Sequence, residues 1–279
     1  MYIKMSHFFR KIFLLLIAPL IIFGKDLNTN THHETDIIIS RYKESLDYLN
    51  DDYFLNFRKI IIYNKGPTLQ KEQLPLNSII YELPNVGSEV HTYLHHILNY
   101  RKDLANFNIF LPASYPYASY KKFATQDLFE NYKNYKGLFK GMLYAQPVKQ
   151  IWKNFMITHY SFSNSFNHSA LADNIPSSKI RPFQKWYQHY FPDNFYNICT
   201  FNGIFAVNKE YILKTDPLLI QEFLDHVSVS IQSESTHYLE RSWAALFFPQ
   251  ESSLSIKSIN SRYNKNLKPS QRYALIGFN

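Results

Sequence analysis

Apolar and polar residues fall into blocks along this chain, and the blocks carry two different periods. "TDIIIS" (Thr35 to Ser40) and "RKIIIYNKG" (Arg58 to Gly66) are short β-branched runs closed by polar ends. Unbroken apolar runs of that length suit strands buried on both faces, as in a parallel sheet. Between them "RYKESLDYLNDD" spaces Tyr42, Leu46 and Leu49 as a helix would. A second helical stripe, Val90, Tyr93, Leu94, Ile97 and Leu98, follows Ser88, which is placed as a cap, and Glu89, which sits in the first turn where the helix dipole favours a carboxylate. "NFNIFLPA" (Asn106 to Ala113) reads as a third strand.

Later blocks continue the alternation less cleanly. The segment from Ser114 to Ile151 is rich in Tyr, Lys and Gly and reads as helices and loops without a clear period. "HYSFSNSFNHSALADNIPSSK" (His159 to Lys179) and "FPDNFYN" (Phe191 to Asn197) read as loops. "NICTFNGIFAVNK" predicts a strand, "DPLLIQEFLDHVSV" a helix, and "ESTHYLERSWAALFF" a last long helix with Leu239, Trp243, Leu246 and Phe247 on one face. The tail after Gln250 looks irregular, and no internal repeat occurs. Strands alternating with helices predict an α/β fold: a mainly parallel sheet flanked by helices, Rossmann-like, in one domain over residues 35–250, followed by a tail over 251–279.

The N-terminus changes that picture, because its apolar block belongs to targeting. Lys4, Arg10 and Lys11 precede an unbroken apolar run from Ile12 to Phe23, ending at Gly24. Twelve residues of helix span about 18 Å, short of the roughly 30 Å hydrocarbon core, so residues 1–24 read as a signal peptide. The alternative is a short uncleaved anchor lengthened by Phe8 and Phe9, with membrane association through residues 8–23. In both cases the rest is expected to be exported. Setting aside those three basic residues lowers the formal charge from +8 to +5. No remaining Lys/Arg run reaches the density of a nucleic-acid patch, so nucleic acid is not an expected partner. Cys199 is the only cysteine, so an exported protein of this sequence has no internal disulfide and is held by its core.

Candidate chemistry is sought where a parallel sheet offers it, beyond the carboxyl ends of the strands. Those places hold Arg41 and Glu44 after the first strand, Asn64 and Lys65 after the second, and Pro112 to Ser114 after the third. The turn Asn85 to Gly87, with Glu89 behind it, opens a helix whose free N–H groups could meet an anionic group. For each of these residues alone, a solvated loop is the competing explanation. His91 and His95 have the i, i+4 spacing of helix-borne zinc ligands, but the HExxH glutamate and a local third ligand are missing. The histidines, with His96, are therefore expected to form a surface or interdomain cluster, and no metal ligand is assigned. GxSxG, P-loop, GxGxxG and CxxC patterns do not occur. Glu240 and Arg241 stand as adjacent charges inside an apolar helix, where burial without a partner is costly. They are either a pair tying that helix to the sheet or a ligand-facing carboxylate with its holder.

"IIISRYKESLDYL", "IIIYNKG", "LPNVGSEVHTYLHHIL", "NIFLPA", "FAVNKEYIL" and "HYLERSWAALFF" stand in this order between Asp36 and about Phe248. In order and rough spacing they resemble the family designated domain of unknown function 3431. The family's layout is in turn similar to that of GT-A glycosyltransferases. The resemblance implies a nucleotide-sugar donor near Arg41, Glu44, Asn64 and Lys65, with Asn85, Gly87 and Glu89 shaping the turn under the sugar or diphosphate. It implies Glu240 as base or acceptor-orienting carboxylate, with Arg241 holding it. After the third strand the family usually carries Phe-x-Gln-Gly-His, whereas this chain has "FLPASYP" and no Asp-x-Asp. That departure favours cation-independent transfer, with Lys65, Arg41 and backbone amides neutralising the diphosphate. Two other classes stay open: a non-catalytic, Tyr-lined carbohydrate-binding or surface protein, and a metal-dependent hydrolase using His91 and His95.

Overall fold

The structure is a computed structural model and describes residues 32–135, 140–147, 153–157, 175–193, 198–248, 257–259 and 274–278. The signal or anchor segment and most of the Ser/Asn-rich loop at 159–179 lie outside these residues. Residues Thr31–Asn279 form one compact unit.

The strands are β1 (His32–Arg41), β2 (Phe57–Asn64), β3 (Ser78–Glu82), β4 (Phe107–Pro112), β5 (Gly141–Pro147), β6 (Ile198–Asn208), β7 (Lys257–Ile259) and β8 (Ala274–Phe278). They form one sheet in the order β3-β2-β1-β4-β6-β5-β8-β7. The pairs β2/β3, β1/β2 and β1/β4 are parallel, while β4/β6, β5/β6, β5/β8 and β7/β8 are antiparallel. In the six strands from β3 to β5, therefore, only β6 runs against the rest. The sheet is mixed and mostly parallel, as the apolar blocks imply, and the layout is compatible with a Rossmann-like fold.

The isoleucine triplets explain why the sheet is covered on both sides. Ile38 and Ile61 point to one face with Tyr63, Phe110, Leu143 and Phe205. Ile37, Ile39, Ile60, Ile62, Ile109, Leu111 and Ala206 point to the other. Each fully buried isoleucine contributes about 1.5–3 kcal/mol relative to exposure. The first face is packed by α1 (Ser88–Asn99), α3 (Phe183–Tyr190), α5 (Pro217–Val227), α6 (Glu234–Glu240) and α7 (Trp243–Phe247). The second is covered by α2 (Ser119–Tyr135) and by 3-10 turns at Asp47–Asn50 and Asp52–Asn56. The short α4 (Lys209–Lys214) follows β6.

Four local expectations need correcting, each for a physical reason. The helix expected from Arg41 onward is replaced by 3-10 turns. There the Arg41 guanidinium donates to the Glu44 carbonyl and the Glu44 carboxylate accepts from the Tyr42 and Lys43 N–H groups, so side chains take backbone partners a helix would need. Ser88 is not a cap: Gly87 holds that position at φ 58°, and no side chain caps the helix. Asn85, Gly87 and Ser88 belong to a turn whose Gly87 and Ser88 amides donate to the carbonyls of Ser230 and Ile231. The last helix is broken between α6 and α7 because the Thr200 hydroxyl enters its ladder, donating to the Glu240 carbonyl at 2.6 Å while accepting from the Trp243 N–H at 3.2 Å. Finally, strands arise where none is expected: the segment read as helices and loops contributes β5, which pairs with β6 and β8, and the stretch read as an irregular tail contributes β7 and β8.

Candidate functional site

At the carboxyl ends of β1, β2 and β3 the polar residues hold one another. Arg41, buried, donates to the carbonyls of Glu44 (2.8 Å), Tyr42 (3.2 Å) and Pro67 (3.0 Å) and to Asn64 Oδ1 (2.6 Å). Asn64, with no exposed surface, returns its amide to the carbonyls of Gly66 and Pro67 and to the Glu82 carboxylate. A Cβ at Gly66 would stand 1.8 Å from the Tyr42 carbonyl oxygen, so the two loops touch backbone to backbone. Arg41, Glu44 and Asn64 thus form a clamp that fixes the loops after β1 and β2.

Lys65 leaves the clamp and reaches the turn before α1. Its ammonium donates to the carbonyl of Val86 at 2.6 Å and to that of Ser88. Burial pushes it down to about 7, and the negative charge of Glu89 works against that fall. The neighbouring histidines are not the surface cluster expected from sequence. His91 and His96 are buried, and His96 Nδ1 meets the Tyr63 hydroxyl at 2.9 Å. Burial and, secondarily, nearby positive charge push His91 down to about 4 and His96 to about 3. Both are neutral core histidines at ordinary pH. Among the described residues no group of three or more His, Cys, Asp or Glu could hold a metal ion.

The second group gathers beyond β4, where the reversed strand β6 begins. Continuing the register Phe110 to Phe205 places Gly203 level with Pro112 and Asn202 level with Ala113. Both take the left-handed conformation, at φ 69° and 59°. The kink lets two carboxylates approach the same piece of backbone. Glu240 Oε1 accepts the Asn202 N–H at 2.9 Å, and a Cβ on Gly203 would lie 2.8 Å from Cγ of Glu89. Tyr93 fixes the kink from below by donating its hydroxyl to the Gly203 carbonyl at 2.9 Å.

Electrostatics join these residues. Burial raises the Glu240 carboxyl above its ordinary value, Glu89 raises it further, and Arg241, the Asn202 N–H and Lys121 hold it back. The Glu240 side chain nevertheless keeps 20 % of its surface open to solvent, whereas that of Arg241 keeps 2 %. Arg241 donates to the His237 carbonyl at 2.6 Å, approaches Glu240 Oε2 at 3.5 Å and lies over the rings of Phe155 and Phe201. Lys121, at the start of α2, reaches Ser114 Oγ at 3.4 Å. Glu89 therefore stands electrostatically between Lys65 on one side and Glu240 on the other. Asn85 is half-buried at the margin of this arrangement.

Lys121, Thr200, Asn202 and Gly203 escaped the sequence reading. The Asn-Gly pair inside an apolar strand was a usable signal, since it marks a bulge or a close backbone approach. A cleft of about 330 Å³ lies at the opposite, amino-terminal end of the strands, lined by Glu34, Arg58, Lys102, Asp103, Asn106 and Lys209 among others. Its charges are of both signs, and Arg58 is already forked onto the buried Asp36.

Fold and site together define an α/β protein with an electrostatically coupled, part-open carboxylate at the carboxyl edge of its sheet. No model of a known protein family matches the chain, and no curated protein matches it.

Proposed function

We propose that this chain is a glycosyltransferase-like protein that moves a sugar from a nucleotide-sugar donor to a hydroxyl on a glycan, lipid or protein. The observation that carries the reading is the placement of Glu240: buried enough for its proton affinity to rise, open enough to be reached, and bonded to β6, one strand over from the β1/β4 position where the chain reverses its direction of growth across the sheet. Such switch points are where open α/β sheets bind ligands. A carboxylate whose affinity for a proton is raised above its ordinary value suits a general base.

In the reaction proposed, Glu240 takes the proton of the acceptor hydroxyl as that oxygen bonds to the anomeric carbon. The bond from that carbon to the diphosphate oxygen breaks, and the nucleoside diphosphate leaves with the electron pair. Arg241 orients Glu240. Lys121 is the cation that faces the diphosphate, while the clamp of Arg41, Glu44 and Asn64, with Lys65 anchored on the Val86 and Ser88 carbonyls, supports the loops around it. The likeness to domain of unknown function 3431 and the GT-A layout belong to this same reading, as does export through residues 1–24. Among the described residues no helix is long and apolar enough to cross a membrane.

Nucleotide sugars should raise the melting temperature where free sugars do not, because a ligand that binds only the folded state stabilises it by mass action. Glu240→Gln keeps an oxygen for the Asn202 N–H, so it should lower transfer by about 10²–10⁴-fold with little loss of stability. Unchanged turnover would remove Glu240 from the mechanism. A second reading, a non-catalytic carbohydrate-binding protein, is favoured by the commitment of Arg41, Asn64 and Lys65 to protein acceptors. It predicts stabilisation by saccharides and none by nucleotide sugars.

A further inference from the structure

Exposed aliphatic side chains stand at both ends of the sheet: Leu55, Leu76, Leu213 and Leu218 around the amino-terminal ends of the parallel strands, and Val229 and Ile231 beside the turn before α1. The exposed aromatic residues recorded among the described residues are Tyr42 (46 %), Tyr117 (61 %) and Tyr120 (38 %). All three follow carboxyl ends of strands: Tyr42 comes directly after β1, and Tyr117 and Tyr120 come after β4. They therefore stand over the carboxyl ends of β1 and β4, and β4 is paired with the strand β6 that Glu240 holds at Asn202.

These rings are held in place. Tyr117 donates its hydroxyl to the Ser45 carbonyl at 2.9 Å, which ties the turn after β4 to the loop after β1 and fixes the ring with one face in solvent. The loop it grips is itself locked by Glu44 and Arg41. Tyr120 precedes Lys121, the cation that touches Ser114 and acts on Glu240. A rigid aromatic face beside the Ser114 hydroxyl and the Lys121 ammonium matches a molecule with an apolar face and a polar rim, and prior fixing of the ring removes part of the ordering cost of binding.

We propose that Tyr117 and Tyr120 form a ledge that binds the pyranose rings of an acceptor saccharide and leads one of its hydroxyls to Glu240. The acceptor role rests on the transferase reading, whereas saccharide binding at the ledge does not. A nucleobase is the other flat ligand such rings could take, but it carries no rim of hydroxyls for Ser114, Lys121 and Glu240. The ledge serves the second reading equally well.

The test uses the full chain, with calorimetric titration of cello-, chito-, manno- and galacto-hexaose and, separately, of UDP. At least one hexasaccharide should bind the wild type. Tyr117→Ala combined with Tyr120→Ala should weaken that binding at least tenfold, with the circular dichroism spectrum unchanged because both rings are exposed. Tyr117→Phe keeps the ring but frees it from Ser45, so it should bind more weakly than wild type yet more tightly than the double variant, which separates the ring face from its fixing. UDP binding should not respond to the double substitution. The ledge is overturned if no hexasaccharide binds, if the double variant binds as the wild type does, or if the substitutions abolish UDP binding instead. Saccharide binding at the ledge without any response to nucleotide sugars would end the transferase reading and leave the ledge standing.

Discussion

The tips of β1 and β2 and the tips of β4 and β6 present similar residues to a reader of the sequence, and the fold uses them in opposite ways. At the first, Arg41 and Asn64 turn inward and spend their donors on carbonyls, on each other and on Glu82. At the second, Glu240 and Glu89 bear like charge on either side of one kinked segment of β6, with Lys121 and Arg241 only partly offsetting them. The first arrangement lowers its own energy by closing. The second keeps electrostatic energy in hand, which is the condition under which a group can change its protonation in response to a ligand. Lys65 joins the two, being anchored like a clamp residue and charged like a site residue.

The sharpest way to break this comparison is Arg41→Met. Removing the guanidinium strips Asn64 and three carbonyls of a partner within a buried network, so urea unfolding should show a loss of about 3–5 kcal/mol. Nucleotide-sugar or saccharide affinity measured well below the melting temperature should change little. A large affinity loss with intact stability would instead make Arg41 a ligand-contacting residue. Gly203→Ala should cost about 1–3 kcal/mol, because the added Cβ meets Glu89 and the left-handed backbone is strained for any L side chain. A neutral result would mean that the kink is soft and that the two carboxylates are not held there.

The two tips should also differ in the sign of their pH dependence. Lys65 holds its proton less tightly folded, at about 7, than its ordinary value of 10.5. Between those values the unfolded chain binds more protons, so stability rises with pH, with a slope approaching about 1.4 kcal/mol per pH unit until tyrosine ionisation intervenes. Lys65→Met should flatten that rise. Glu240 binds its proton more tightly when folded, so its contribution is present at low pH and is lost as pH climbs through its raised folded value. Glu240→Gln should remove that opposing slope, seen by unfolding across pH 4 to 8. The smallest effect is expected from Glu89→Gln, which should shift the Glu240 carboxyl titration, followed by carbon NMR, to lower pH. A titration that does not move would uncouple the two carboxylates.

The parallel centre of the sheet was readable because burial on both faces writes isoleucine triplets into β1 and β2 and "NIFLP" into β4, and nothing polar interrupts them. β3 was not, since it is a half-buried edge strand whose apolar run is only Ile79 to Tyr81. α2 hides because its buried stripe is only Ala124, Leu128 and Tyr132 within a polar segment. Among candidate residues, position at a strand tip could be read, but whether a side chain turns in or out could not. Arg41 turns inward because of Asn64 and Pro67, more than twenty residues away. His96 was expected at the surface, yet an aromatic environment and the Tyr63 hydroxyl accommodate it in the core. Such choices are made by contacts between distant segments, which no local period records.

The interruption of the final helix by Thr200 also acts on the proton at Glu240. Were α6 and α7 continuous, Glu240 would sit in mid-helix, remote from either end. With the ladder severed, it becomes the last residue of a seven-residue helix, at the negative pole of the aligned peptide dipoles, where a carboxylate anion is disfavoured and the adjacent guanidinium of Arg241 is welcome. A single inserted hydroxyl thus gives neighbouring acid and base side chains opposite electrostatic fortunes.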